Sequence, residues 1–553
     1  MWKGQGTMRD RSIAIIGAGV AGLAAGCYAQ MNGYRTRIFE MHGLPGGVCT
    51  SWRRDGYIFD GCLQWLMGSR PGSPLNRTWQ ELGALTGRDV VDHDEFLRIE
   101  GRDGRTLVVY ADADRLERHL RELAPADAAL SHALCEVIRR CAELDRGSSS
   151  AHGIAGATNW LATGVRLLPA VPTLAGWLGI TWQELAARFT DRFVRDAIRS
   201  ICNVPEFPAL LGLMPLIWMH ARDAGYPIGG SLAFAQAIEQ RYVELGGQIS
   251  YGARVEKILV EDRRAVGVRL ADGSEHRSDD VVSAADGHAT IFGLLEGRYA
   301  NPAIRRAYQA QPIFRPLVQV SLGVARDLSA EPHALTFPLP TPAAIAGEVR
   351  ESLTVRHFGY DPTLAPAGKS VLEVLLETDY DQWAGLARDR GHYDSEKDRI
   401  AESIVQALDQ RFPGLAGEVE ALDVATPMTW ERITGNWRGA YEAWLPTRGN
   451  LMSSLRGGTG RTLPGLERFF MTGQWVSGGG LPAVAPAARS LVQAICKRDR
   501  RPFTTSVATC PPAQREAVFP EWARPSISNR PMEGSADLRL WQPEPAASRR
   551  GDP

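Results

Sequence analysis

Apolar and polar positions follow two different periods along this chain, and the change of period marks its first elements. Ile13-Ala-Ile-Ile16 is an unbroken apolar run of strand length. It leads into Gly17-Ala-Gly19-Val-Ala-Gly22. From there Val20, Leu23, Ala24, Cys27, Tyr28 and Met31 recur at i, i+3, i+4, i+7, i+8 and i+11, one apolar face of a helix. Gly33 stands where a glycine ends a helix in the left-handed conformation. Thr36-Arg-Ile-Phe39 reads as a second strand, with Glu40 at its end. The order predicts a βαβ unit.

Further along, Asp112 to Asp145 alternates charge with Leu and Ala at helical spacing and predicts surface helix. A helix from Ser231 sets Phe234, Ile238, Tyr242 and Leu245 on one side and stops at Gly246-Gly247. Val255 to Val282 predicts a small β-meander that turns at Asp272-Gly273. Leu317–Val324 and Val371–Leu376 read as strands. Glu396 to Phe412 predicts a helix through Ile400, Ile404 and Leu408, stopped by Pro413-Gly414. After Pro502 the chain is rich in Pro, Ser and Arg without sustained apolar period, so 503–553 is expected to be a disordered tail.

Trp160 to Trp182 is apolar but interrupted by Arg166, Pro169 and Pro172. It is therefore a poor transmembrane helix, which needs about twenty unbroken apolar residues. Helices covering an apolar pocket and a surface dipping into a bilayer are the two readings it leaves open.

Composition narrows the class. The chain has 553 residues, 44% apolar and 23% charged, as in a large globular enzyme of two or more domains. A formal net charge of −1 argues against nucleic acid as a partner. The first residues show no apolar signal region, and the eight cysteines include no CxxC pair and no metal-ligand spacing. The expectations are a cytoplasmic enzyme without a metal, in contact with a membrane surface if the bilayer reading holds.

The chemistry begins at the glycines. Gly17 permits a tight turn off the strand, Gly19 lets backbone approach a pyrophosphate, and Gly22 lets helix and strand close together. Val20 and Ala21 open the helix, whose N-terminus presents free N–H groups and the positive end of its dipole to phosphates. Glu40 lies about twenty residues further on, where a carboxylate binds ribose hydroxyls. The pattern predicts an adenine dinucleotide.

Gly43-Leu-Pro-Gly46-Gly47-Val-Cys-Thr-Ser-Trp52 and Gly56-Tyr-Ile-Phe-Asp60-Gly61 resemble the second flavin motif of the amine-oxidase and phytoene-desaturase superfamily. There the double glycine passes close to FAD. That family often has a basic residue next; this chain has Val48. Leu463-Pro-Gly-Leu466, Phe469-Phe-Met-Thr-Gly473-Gln-Trp475 and Gly478-Gly479-Gly480-Leu481-Pro482 resemble the C-terminal flavin segment of phytoene desaturases and carotenoid isomerases. The resemblance implies that FAD also contacts the backbone near Val255, Gly473, Gly479, Gly480 and Leu481. Phe59-Asp-Gly-Cys-Leu-Gln-Trp-Leu66 and Tyr226-Pro-Ile-Gly229-Gly230 are more similar to phytoene desaturases, carotenoid isomerases and retinol saturases than to monoamine oxidases.

The resemblance implies an α/β architecture: a Rossmann-type FAD-binding domain (8–80, 225–290 and 420–502) interleaved with a substrate domain (81–224 and 291–419) that holds a mixed or antiparallel sheet and helices. It also implies an oxidoreductase that acts on C–C/C=C bonds of a lipophilic, isoprenoid-like substrate by hydride transfer to flavin N5. No second GxGxxG follows a strand, so oxygen, a quinone or another acceptor is expected to reoxidise the flavin. Gln64, Trp65 and His288 are pocket candidates. Asp286 and His288 follow a predicted strand end; Asp286 reads first as a helix cap and His288 as an ordinary core or surface residue, ahead of a catalytic role. No catalytic residue is assigned. Alternatives are a flavin-dependent polyene isomerase or saturase, an oxidase of another natural product or an amine, and a prenyl binder like the GDP-dissociation inhibitors. Trp437, Tyr441 and Trp444 are the aromatic candidates for the amine reading.

Overall fold

The computed structural model describes residues 11–147, 171–451 and 460–509. Five parallel strands lie in the order Gln248–Ser250, Arg35–Phe39, Ser12–Ile16, Asp280–Ser283 and Phe469–Met471. Both faces are covered, which is why Ile13–Ile16 is apolar without alternation. Ile13 and Ile15 join the core of the helices Val20–Met31, Gly230–Glu244 and Leu481–Arg498. Ala14 and Ile16 face the antiparallel meander Val255–Glu261, Arg264–Leu270 and Glu275–Arg277. The meander is shorter than expected. Val281 and Val282 leave it and pair parallel with Ala14 and Ile15, respectively, on one side and with the 469–471 strand on the other.

A seven-stranded sheet stands beside this unit, in the order Val419–Ala425, Leu317–Val324, Ser370–Glu377, Glu348–His357, Ala334–Ile345, Glu95–Glu100 and Thr106–Tyr110. It is mixed: the 334–345 and 95–100 strands run parallel and the other neighbours antiparallel. Its core includes Val318, Val320, Leu372 and Val374, covered by Ile400, Ile404 and Leu408 of the helix Arg390–Arg411. The expected boundary at 419/420 cuts through the first of these strands. Val419–Ala425 pairs wholly with Leu317–Val324 and buries Val424 in the same core, so it belongs to this sheet.

Two more expectations change. The Asp112–Asp145 stretch is two helices, Ala113–Leu123 and Ala128–Gly147, parted at Pro125, and Leu116, Leu120, Val137 and Ile138 are fully buried. The expected tail begins later than Pro502. The Thr504 N–H donates to Asn32 Oδ1 at 2.7 Å, Thr505 Oγ1 donates to Glu81 at 2.8 Å, and the Phe503 ring lies 6.2 Å from that of Tyr28. Residues 503–508 thus lie against the parallel-sheet unit; 510–553 are outside the described residues, as is 160–170 of the apolar stretch. Among the described residues no helix is long and apolar enough to cross a membrane.

Candidate functional site

One cavity of about 540 Å³ runs from the first glycine turn to the seven-stranded sheet. Its walls come from segments hundreds of residues apart, so packing of the two sheets creates it.

At one end the glycine loops meet. Gly17 has φ +95°, and a Cβ on Gly22 would lie 2.0 Å from the Gly17 carbonyl oxygen; the fold itself demands both glycines. Gly19 differs. Its φ is −63°, and a Cβ there would come no closer than 3.8 Å to other protein atoms. The protein has room for a side chain at Gly19, and that room is on the cavity side. Gly46 bridges to Gly19 as a short parallel pair, its N–H donating to the Ala18 carbonyl at 2.9 Å, and Gly47 and Val48 continue the wall. The helix that starts at Val20 has no side-chain cap and no acidic residue in its first turn. The same holds for the last helix, which starts at Leu481 behind Gly480. Both N-termini open on the cavity, and their N–H groups favour an anionic or carbonyl-bearing ligand.

Glu40 is 8% exposed and borders the cavity. Its carboxylate accepts the Ala18 N–H at 2.6 Å and the His42 N–H at 2.8 Å. Burial raises its pKa in spite of these donors, and the two bonds fix the turn. Val20, Ala21, Val255, Gly473 and Leu481 also line the cavity. Gly22 and Gly479 do not: the first closes the turn from behind, and a Cβ on the second would meet the Glu442 carboxylate at 2.7 Å. A dinucleotide fits this end, because the space kept at Gly19, two bare helix N-termini and a ribose-height carboxylate converge on one groove.

The other end is apolar with inserted polar groups. Gln64 and Trp65 line it. Gln64 Nε2 donates to Glu373 at 3.0 Å, and Gln319 Nε2 donates to the other Glu373 oxygen at 3.1 Å and to the Asp60 carbonyl at 2.6 Å. Burial pushes Glu373 up to about 7 although Arg356, its cross-strand neighbour, opposes the shift. Asp286 also lines the cavity; it accepts the Ala289 N–H at 2.7 Å and the Trp437 N–H at 3.0 Å, and burial pushes it up to about 7. It caps the following helical turn. His288 is not part of the wall. It stacks on Trp437 at 4.8 Å, with Phe292 and Tyr308 around it, while Asp286 before it and Ala289 after it face the cavity. Trp437 and Trp444 likewise join an aromatic cluster with Tyr308 and Trp475, and of the three aromatic candidates only Tyr441 reaches the cavity.

Sequence reading missed Gln319, Glu373 and Glu442. A signal was present for Glu373, a charge inside the apolar strand Val371-Leu-Glu-Val-Leu-Leu376. Among the described residues no cluster of three His, Cys, Asp or Glu is arranged for a metal.

Comparison with known proteins agrees with this geometry. Prolycopene isomerase from Daucus carota is 24% identical over 458 residues, 79% of this chain and 72% of that protein. A lycopene-forming phytoene desaturase from Pseudescherichia vulneris is 25% identical over 448 residues, 75% and 85% of the two chains. Among solved structures, a putrescine oxidase variant superposes with TM-score 0.58 at 15% identity, over 88% of this chain and 99% of that one, which shows the shared fold. The family model described as flavin containing amine oxidoreductase matches residues 20–496. The chain belongs to this family of flavin-dependent oxidoreductases.

Proposed function

We propose that the protein uses FAD to introduce or rearrange C=C bonds in a lipophilic, carotenoid-like substrate, with desaturation as the primary reaction. The carrying observation is the single cavity that joins the Gly19–Gly46 cradle to an apolar end walled by Trp65, Leu317 and Leu375. Gly19, Gly46 and the first helix N-terminus would hold the pyrophosphate, Glu40 the ribose, Val255 the adenine side, and Gly480–Leu481 the ring end. Bound flavin supplies a two-electron hydride acceptor at N5. This chain's part is to orient the substrate C–H, exclude water and handle the proton. The names of the relatives, isomerase and desaturase, support a polyene substrate. Such a substrate calls for contact with a lipid surface on the cytoplasmic side, and oxygen or a quinone completes the cycle.

The test is anaerobic. Holoprotein is mixed with phytoene-type polyenes in detergent micelles, flavin colour is followed, and products are separated by chromatography. Bleaching with a product two hydrogens lighter supports desaturation. The similarity to prolycopene isomerase favours a second reading, in which pre-reduced holoprotein converts a cis polyene to trans without change in mass. No change in any polyene under either condition contradicts the proposal.

A further inference from the structure

Three carboxyls raised by burial to about 7 line the cavity: Asp286, Glu373 and Glu442. They are not equivalent. Asp286 is held by two backbone N–H groups and Glu373 by two glutamine amides. Glu442 has no hydrogen bond or ion pair among the described residues. It stands on the wall where the last glycine turn meets the apolar end, with its carboxylate against Gly479 and Gly480. Its carboxylate borders the cavity without a fixed protein partner, and a carboxyl facing a substrate-sized space is a group available for chemistry.

We infer that Glu442 is the general base of the reaction: it takes the proton from the substrate carbon next to the one that loses hydride. The inference rests on the desaturase reading above. The step balances: one C–H leaves as hydride to the oxidised flavin, the neighbouring C–H gives its proton to the Glu442 carboxylate, and that bond's electron pair becomes the new π bond. The proton then passes to water.

The surroundings suit the role. Burial alone raises Glu442, and no arginine or lysine acts on it. The titratable group beside it is Tyr441, raised by burial and then by Glu442; Glu373 lines the same cavity without acting on Glu442. A carboxyl near 7 is substantially ionised at neutral pH and still a useful base.

The experiment compares wild type with Glu442→Gln and Glu442→Ala, all loaded with FAD. Single-turnover flavin bleaching by polyene should fall about 100-fold or more in both variants. The wild-type rate should rise with pH through about 7, and that limb should vanish in Glu442→Gln. Formate should restore rate to Glu442→Ala, a rescue that a structural role would not give. Independently of turnover, infrared difference spectra across pH 6–8 should show a titrating carboxyl signal in wild type, to which Asp286 and Glu373 also contribute, that is reduced in Glu442→Gln by the share of one carboxyl. If one variant does not fold, the other and the wild-type pH limb still decide. Wild-type turnover with an unchanged rate and pH limb in Glu442→Gln, or a carboxyl band unchanged by the substitution, overturns the inference alone. A wild type that leaves every polyene unchanged overturns the desaturase reading with it.

Discussion

Gly19 and Gly22 sit three residues apart and answer to different constraints, and the difference can be measured. A Cβ at Gly22 would be 2.0 Å from the Gly17 carbonyl oxygen, against backbone that cannot yield. Gly22→Ala is expected to cost at least about 2–3 kcal/mol and to lower the melting temperature with or without flavin. A Cβ at Gly19 meets nothing closer than 3.8 Å. Gly19→Ala is expected to melt like wild type without flavin, yet to bind flavin about 10–100-fold more weakly, a loss of about 1.4–2.7 kcal/mol by titration. Equal effects of the two substitutions would show that Gly19 has a fold role instead. At this scale the glycines and Glu40 were legible because their signal is local, a run of about thirty residues with strand, helix and strand in register. Glu373 and Glu442 were not, because their meaning arises only when the seven-stranded sheet and the last glycine turn close on one space. His288 misled because a strand end near a domain junction does not tell which way the next turn rotates.

Ion pairs between distant segments join the elements alongside apolar packing. Arg498, at the end of the last helix, makes two bonds of 2.7 Å to the carboxylate of Asp280, which is 0% exposed on a central strand. Bidentate pairing of this kind is the strong form of an ion pair. Arg498→Ala leaves a buried charge whose next cation, Arg468, is at 3.6 Å. The expected cost is about 2–4 kcal/mol in denaturant unfolding, and Asp280→Asn in the same chain should recover part of it. Additive losses would contradict the coupling. Phe503→Ala should cost about 1–2 kcal/mol, since its ring covers Tyr28 and Arg489; no loss of stability would mean that the 503–508 segment adds nothing to the fold. Helices with a clean apolar period were legible, as at 230–244 and 390–411. The hairpin Ala334–Ile345 with Glu348–His357 was not, because Pro338, Pro340 and Pro342 break its strand pattern and the structure accommodates them as an irregularity between Pro338 and Ala343.

The whole molecule has a pH dependence built into its interior. His93 and His333 stack at 3.8 Å. Burial, followed by His357, pushes His93 down to about 4, and burial, followed by His93, pushes His333 down to about 2. Both folded-state values lie below the unfolded value of about 6.5. The unfolded chain therefore binds protons first, and stability is lost as pH falls from about 6.5 towards 4. Asp286 and Glu373, raised to about 7, act in the opposite sense: their contribution is present below their unfolded values and is lost as pH rises to about 7. His333→Asn should move the acid-unfolding midpoint to lower pH, followed by circular dichroism, and an unchanged midpoint would remove the histidines from the account. The α/β nucleotide unit and the mixed sheet of the second unit were foreseeable from the two terminal motifs. The placement of the 419–425 strand was not, since strand pairing between distant segments leaves no local mark.

The most direct test of the central claim is the identity and amount of cofactor in the purified protein. Absorption spectra and acid release should give one FAD per chain, and Gly19→Ala protein should retain little of it while remaining folded. A colourless protein that takes up no added FAD, or one that binds FAD equally well with alanine at Gly19, would contradict the account.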